Sequence, residues 1–154
     1  MKSAHVVLAL LALAGCATNN SATAPDASTT EVSEAIRAFE EVCLKTAPTF
    51  SLPDVANAAA AFGIVAQPDD DFFRKMGANK DESLGFIIEE NKECWIVTTP
   101  QRTETLTKEF LEMVSRHSGK VPSKGVPIRA TVRGNTFIFD HDRRFGEAFI
   151  MVRQ

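Results

Sequence analysis

Val6 to Ala14 is an uninterrupted apolar run of nine residues, with one positive charge before it at Lys2 and Gly15 and Cys16 after it. This run limits what the chain can become. A helix that crosses a bilayer core needs about 20 apolar residues, so nine are too few. The short length, the basic start and the small residues that follow suit the apolar part of a secretory leader. Residues 17–30 (ATNNSATAPDASTT) are small and polar, contain a proline and lack apolar periodicity. Such a stretch buries too little surface to offset the entropy of ordering it, and it reads as a disordered tether. As a coil it spans about 20 Å, and fully extended about 46 Å. The expected organisation is a leader over residues 1–15, a tether over 16–30 and one folded domain over 31–154. Roughly 125 residues are enough for a single domain with its own core.

The order Leu13-Ala14-Gly15-Cys16, a Leu and two small residues before a Cys, resembles the lipobox of bacterial lipoproteins. The resemblance implies that the leader is cut before Cys16. It further implies that the Cys16 sulfur is diacylated and that its new amine takes another chain such as palmitate. The covalent lipid then stands where a cofactor would, and no dissociable cofactor is expected. Two or more acyl chains anchor a protein stably, whereas one binds a bilayer only marginally. Ala17, standing where an Asp would signal retention, implies a lipid-anchored place in the cell envelope at the outer membrane, facing the periplasm. The apolar run by itself also allows a buried helix or weak membrane segment, or a cleaved leader without lipid.

The chain holds 17 basic and 20 acidic residues, a formal charge of −3 with His neutral; losing Lys2 with the leader leaves 16 basic residues and −4. That balance argues against nucleic acid, whose phosphates are met by clustered Lys and Arg. It also offers no pull toward anionic lipid. Of the aromatics, 11 are Phe, one is Trp and none is Tyr, and most Phe fall where a core is expected.

Thr30 can cap a first helix, with Val32, Ala35, Ile36, Phe39, Val42, Cys43 and Thr46 on one apolar stripe and Pro48 as its stop. Ser51 caps a second helix, with Asp54 three residues on, Pro53 in the first turn, and Val55, Ala58, Ala59 and Phe62 as its contact face. Gly63 and Ile64 suit a Schellman ending. The acids Asp69 to Asp71 followed by Phe72 to Met76 read as one short helical turn. Gly85 to Glu90 and Glu93 to Thr99 read as a hairpin about Asn91-Lys92, a register that sets Cys94 opposite Glu89, Trp95 opposite Ile88 and Ile96 opposite Ile87. Cys94, Ile96 and Ile87 would then share the face under the first helix. Thr103 caps a third helix to about His117, with Leu106, Phe110, Met113, Val114 and His117 on one side and Gly119 at its end. Three strands follow: residues 127–133, a turn at Gly134-Asn135, residues 136–140, and residues 147–153, the last unevenly apolar in the manner of a central strand.

The fold expected is α+β, one antiparallel sheet of about five strands (hairpin plus three-strand meander) backed by helices in the order α-α-ββ-α-βββ. That order is similar to profilin-like or longin-like sheets, a likeness of fold that implies no function.

In an exported chain, an even pair of cysteines outside the lipid site reads as a disulfide, here Cys43 with Cys94. Closing a loop of about 50 residues stabilises a fold by about 4 kcal/mol in the chain-entropy model. Two inert buried thiols, or a Cys–His nucleophile, are the other readings. Phe39-x-x-x-Cys43 on a first helix with Cys94-Trp95 on a later strand is similar to small proteobacterial lipoproteins, a likeness over Thr30 to Thr99 that implies no activity.

The densest polar cluster is Asp140, His141, Asp142, Arg143 and Arg144, expected in a loop. It is the candidate interaction loop. Read as a metal site it lacks converging partners, and the ordinary alternative is a solvated turn. His117 at a helix end complements the dipole. Asp69 to Asp71 lack calcium-loop spacing, and Glu89, Glu90 and Glu93 flank a turn, where exposure is expected. Arg102, Lys120, Lys124, Arg129, Arg133, Arg143 and Arg144 give the C-terminal half a basic bias. No nucleophile elbow, zinc-protease or phosphate-loop motif is present. The reading is an envelope lipoprotein whose domain binds another envelope protein or a wall or surface polymer and is not an enzyme. Its alternatives are a periplasmic inhibitor of a hydrolase, presenting Asp140 to Phe145, and a small hydrolase with His141 as general base oriented by Asp140 or Asp142.

Overall fold

A computed structural model describes residues 33–68, 74–100, 105–121, 125–141 and 149–154. Leu13 to Cys16, read above as lipobox-like, residues 17–30, expected as a tether, and Val32 lie outside them, as do Asp69 to Phe73, Arg102, Thr103, Lys124 and Asp142 to Phe145. The first helix, α1 (Glu34–Ala38), runs on as a π-helical turn over Phe39–Leu44. The apolar stripe is found there, widened: Ala35, Ile36, Ala38, Phe39, Val42, Cys43 and Leu44 are all buried. A π turn holds one residue more than an α turn, which lets Val42, Cys43 and Leu44 reach the core side by side.

Helix α2 (Leu52–Ala59) starts as its residues dictate. Ser51 Oγ accepts the Asp54 N–H at 3.4 Å and donates to Asp54 Oδ2 at 2.6 Å. It ends in a Schellman motif, with Gly63 at φ 68°, its N–H on Ala60 O at 3.0 Å and the Ile64 N–H on Ala59 O at 3.3 Å. Helix α3 (Thr105–Ser118) buries Leu106, Phe110, Met113 and Val114 and stops at Gly119, φ 67°. No helix among the described residues is long and apolar enough to cross a membrane.

The fold is α+β with one antiparallel sheet, as expected, but the sheet has seven strands rather than five. These are β1 (Val65–Ala66), β2 (Lys75–Ala78), β3 (Leu84–Glu89), β4 (Glu93–Thr98), β5 (Ile128–Val132), β6 (Asn135–His141) and β7 (Phe149–Arg153), in the spatial order β1-β2-β3-β4-β7-β6-β5. Lys75 and Met76, expected in a helical turn, are strand residues paired with Ile88 and Ile87. The free edge of β3 offers them a hydrogen-bonded ladder, and Gly77 between them and Ala78 is a poor helix former. β7 lies between β4 and β6, the central position its uneven pattern indicates.

Two registers differ from expectation by one residue. Ile88, Ile87 and Phe86 face Cys94, Trp95 and Ile96. The hairpin turn has three residues, because Asn91 at φ 59° sits where a turn closed by the Lys92 N–H on Glu89 O, 3.0 Å, needs a left-handed residue. The shift moves Ile87 to the face opposite Cys94. In the meander the tight turn is Arg133-Gly134, at φ 51° and 84°, and Asn135 already pairs with Val132.

One face of the sheet carries Phe86, Ile88, Cys94, Ile96, Phe137, Phe139, Ile150 and Val152, all buried against the helices. Phe39 meets Phe110 edge-on at 5.5 Å between ring centroids, and both rings lie about Phe139, at 6.5 and 6.4 Å. Cys43 is bonded to Cys94 inside this core, with Cα atoms 5.5 Å apart and both residues fully buried.

Candidate functional site

Asp140 and His141 end strand β6 and do not lie in a loop. Strand alternation puts their side chains on opposite faces. His141 turns toward the helices, 6 % exposed, its ring edge-on to Phe110 at 6.2 Å between centroids. Asp140 lies on the far face opposite Met151, and its Oδ1 accepts the His141 backbone N–H at 2.9 Å. The solvated turn expected for these two residues is therefore replaced by a strand end, because β7 and the Phe110 ring pack against it.

The acids about the hairpin turn have three separate partners. Glu90 Oε1 accepts the Leu52 N–H at 2.7 Å and so caps α2. Glu89 pairs with Lys92 at 2.8 Å. Glu93, directly opposite Glu89, pairs with Arg74 at 3.3 Å and is buried, not exposed. The Arg74 guanidinium also lies 5.9 Å above the Trp95 ring, which packs on Phe149 at 4.9 Å. Like charges facing across a hairpin repel, and the two cations offset that here. His117 has a partner of its own: its Nε2 and Arg116 Nη2 both sit 2.9 Å from Glu40 Oε1, which ties the C-terminal turn of α3 to the π turn. Of the basic residues expected to bias the C-terminal half, Lys120, Arg129 and Arg133 are among the described residues. Arg129 is exposed on the far face of β5, whereas Arg133 reaches back to Leu44 O at 3.3 Å. No group of three or more His, Cys, Asp or Glu side chains able to hold a metal exists among the described residues.

The far face of the sheet holds the candidate binding surface. The strand pairings set Trp95, Ile87 and Met76 in one cross-strand row and Val97, Gly85, Ala78 and Val65 in the next. The second row is small at its centre. A hollow of about 150 Å³ results, lined by Met76, Ile87, Val97 and Ala78, by Gly85, and by the polar residues Glu82 and Gln67. Gly85 cannot be enlarged, since a Cβ there would stand 2.6 Å from Gly77 O. Val65 and Met76 beside the hollow are exposed, at 71 % and 44 %. The sequence carries one signal for it, glycines inside strand-like patterns, which mark close backbone approach. That signal is hidden at Gly77 as long as Lys75 and Met76 before it are read as a helical turn.

No protein-family model, no curated protein and no solved structure matches the chain.

Proposed function

We propose that the chain is an envelope lipoprotein, held to the membrane through acyl chains on Cys16, whose folded domain acts by binding another envelope component. The observation that carries this reading is the buried Cys43–Cys94 disulfide. Structural disulfides persist in oxidising compartments such as the periplasm and are rare in a reducing cytosol, which agrees with what the lipobox resemblance implies. The apolar hollow on the far face supplies a surface through which a binding domain would act, since recognition sites are concave and mostly apolar with a few placed polar groups.

Cells expressing the full chain and its Cys16→Ser variant, fed labelled palmitate and then fractionated, test the anchor. The wild-type chain takes up label and sediments with membranes, while the variant is unlabelled and soluble. A variant that stays in the membrane fraction overturns the anchor.

A further inference from the structure

We propose that the hollow between β2, β3 and β4 is a socket for a lysine side chain of a partner polypeptide. This rests on the binding reading above and names its ligand chemistry. The walls, Met76, Ala78, Ile87 and Val97, are apolar, and the lining Gly85 offers no side chain that could fill the space. A straight aliphatic stem suits such walls, and lysine buries its stem along apolar surface while its ammonium stays at a polar margin. Glu82, exposed to solvent, is the one acidic residue in the lining.

Glu82 stands apart from most acids of the domain. Glu40, Glu41, Glu89, Glu93 and Glu112 each pair with a cation, and Glu90 and Glu109 each accept a backbone N–H. The Glu82 carboxylate has no such partner among the described residues; its backbone N–H donates to Asn79 O at 3.1 Å. Its backbone is left-handed, φ 58°, where Gly or Asn would sit at less cost. Local stability therefore does not account for a glutamate at this place. An unpaired carboxylate beside an aliphatic hollow is complementary to a charge on a hydrocarbon stem, and the ammonium of lysine is that group.

The test uses n-butylammonium as the side-chain probe against the full chain, with butanoate and butanol as its anionic and neutral counterparts, followed by amide shifts of Gly85 and methyl shifts of Val97. Saturable shifts with butylammonium, three- to fivefold tighter than with butanol as an exposed ion pair allows, support the socket. Glu82→Gln then abolishes the preference for the cation while neutral binding remains. Ala78→Leu, and separately Val97→Phe, fill the hollow and remove binding of all three probes from a folded protein. Equal affinity for butylammonium and butanoate overturns the lysine assignment, as do shifts that survive both filling variants or an absence of saturation. The Cys16→Ser fractionation is indifferent to these outcomes, so the socket and the anchor fail separately.

Discussion

Cys43 and Cys94 join the π-helical turn to the covered face of strand β4, with their Cα atoms 5.5 Å apart. The bridge crosses the layer between helix and sheet out of reach of solvent, since neither cysteine has any exposed surface. Replacing both by Ala is expected to lower unfolding free energy by about 4 kcal/mol, from the loop closure the bridge imposes on the unfolded chain. Urea unfolding of residues 31–154 measures this. The same protein unfolded without reductant should react with no thiol reagent, and two reactive groups per chain would remove the bridge from solution.

Phe39 is the second element joining these layers. Its ring touches Phe110 of α3 edge-on and lies 6.5 Å from Phe139 of β6, fully buried. Phe39→Ala leaves a cavity where three elements meet and is expected to cost about 3–5 kcal/mol. Phe62, half-buried at the end of α2 under the Arg37 guanidinium, should cost clearly less on the same change. Equal losses in urea melts would show that the aromatic cluster is not the centre of the core.

Residues whose environment is local are those whose positions can be read in the sequence. The stripe of α1, the glycine stop at Gly63 with Ile64 behind it, the inward face of α3 and the doubly paired strand β7 all follow from spacing alone. What escapes is set by neighbours distant in sequence or by backbone at positive φ. Strand β2 exists because β3 has an edge to offer, and four residues interrupted by Gly77 carry no period of their own. Both hairpin registers turn on one left-handed residue, Asn91 and Arg133, and an arginine is a weak sign of such a conformation. His141 sits in a charged run, and only the approach of Phe110 from another element decides that it is covered. The hollow depends on the pairing of Gly85 with Ala78, which no single segment shows.

The hairpin turn caps a helix 38 residues before it, through Glu90 Oε1 on the Leu52 N–H at 2.7 Å. Ser51 serves a different N–H of the same turn, that of Asp54. Loss of a helix cap costs about 1 kcal/mol. Glu90→Ala should therefore lower stability by about that amount and speed hydrogen exchange at Leu52, while Glu90→Gln, which keeps an acceptor, restores most of both. Unchanged exchange at Leu52 in Glu90→Ala would show that water satisfies the N–H equally well.

The loop between β2 and β3 is held by Asp81, whose carboxylate accepts the Ser83 hydroxyl at 2.7 Å and the Ser83 N–H at 3.2 Å. These bonds, the hydroxyl first, hold the Asp81 pKa below the ordinary aspartate range. A carboxyl whose folded pKa is depressed adds stability above its unfolded pKa, and that contribution disappears as pH falls through the folded value. The loop should accordingly loosen only in strong acid, below the point where free aspartate protonates. Ser83→Ala removes the largest cause and leaves the backbone bond, so the Asp81 carboxyl should titrate nearer the ordinary range. Carbon-detected NMR of the Asp81 side chain during an acid titration reads this directly. Identical titration midpoints in the two proteins would mean that the Ser83 hydroxyl contributes nothing to the loop in solution.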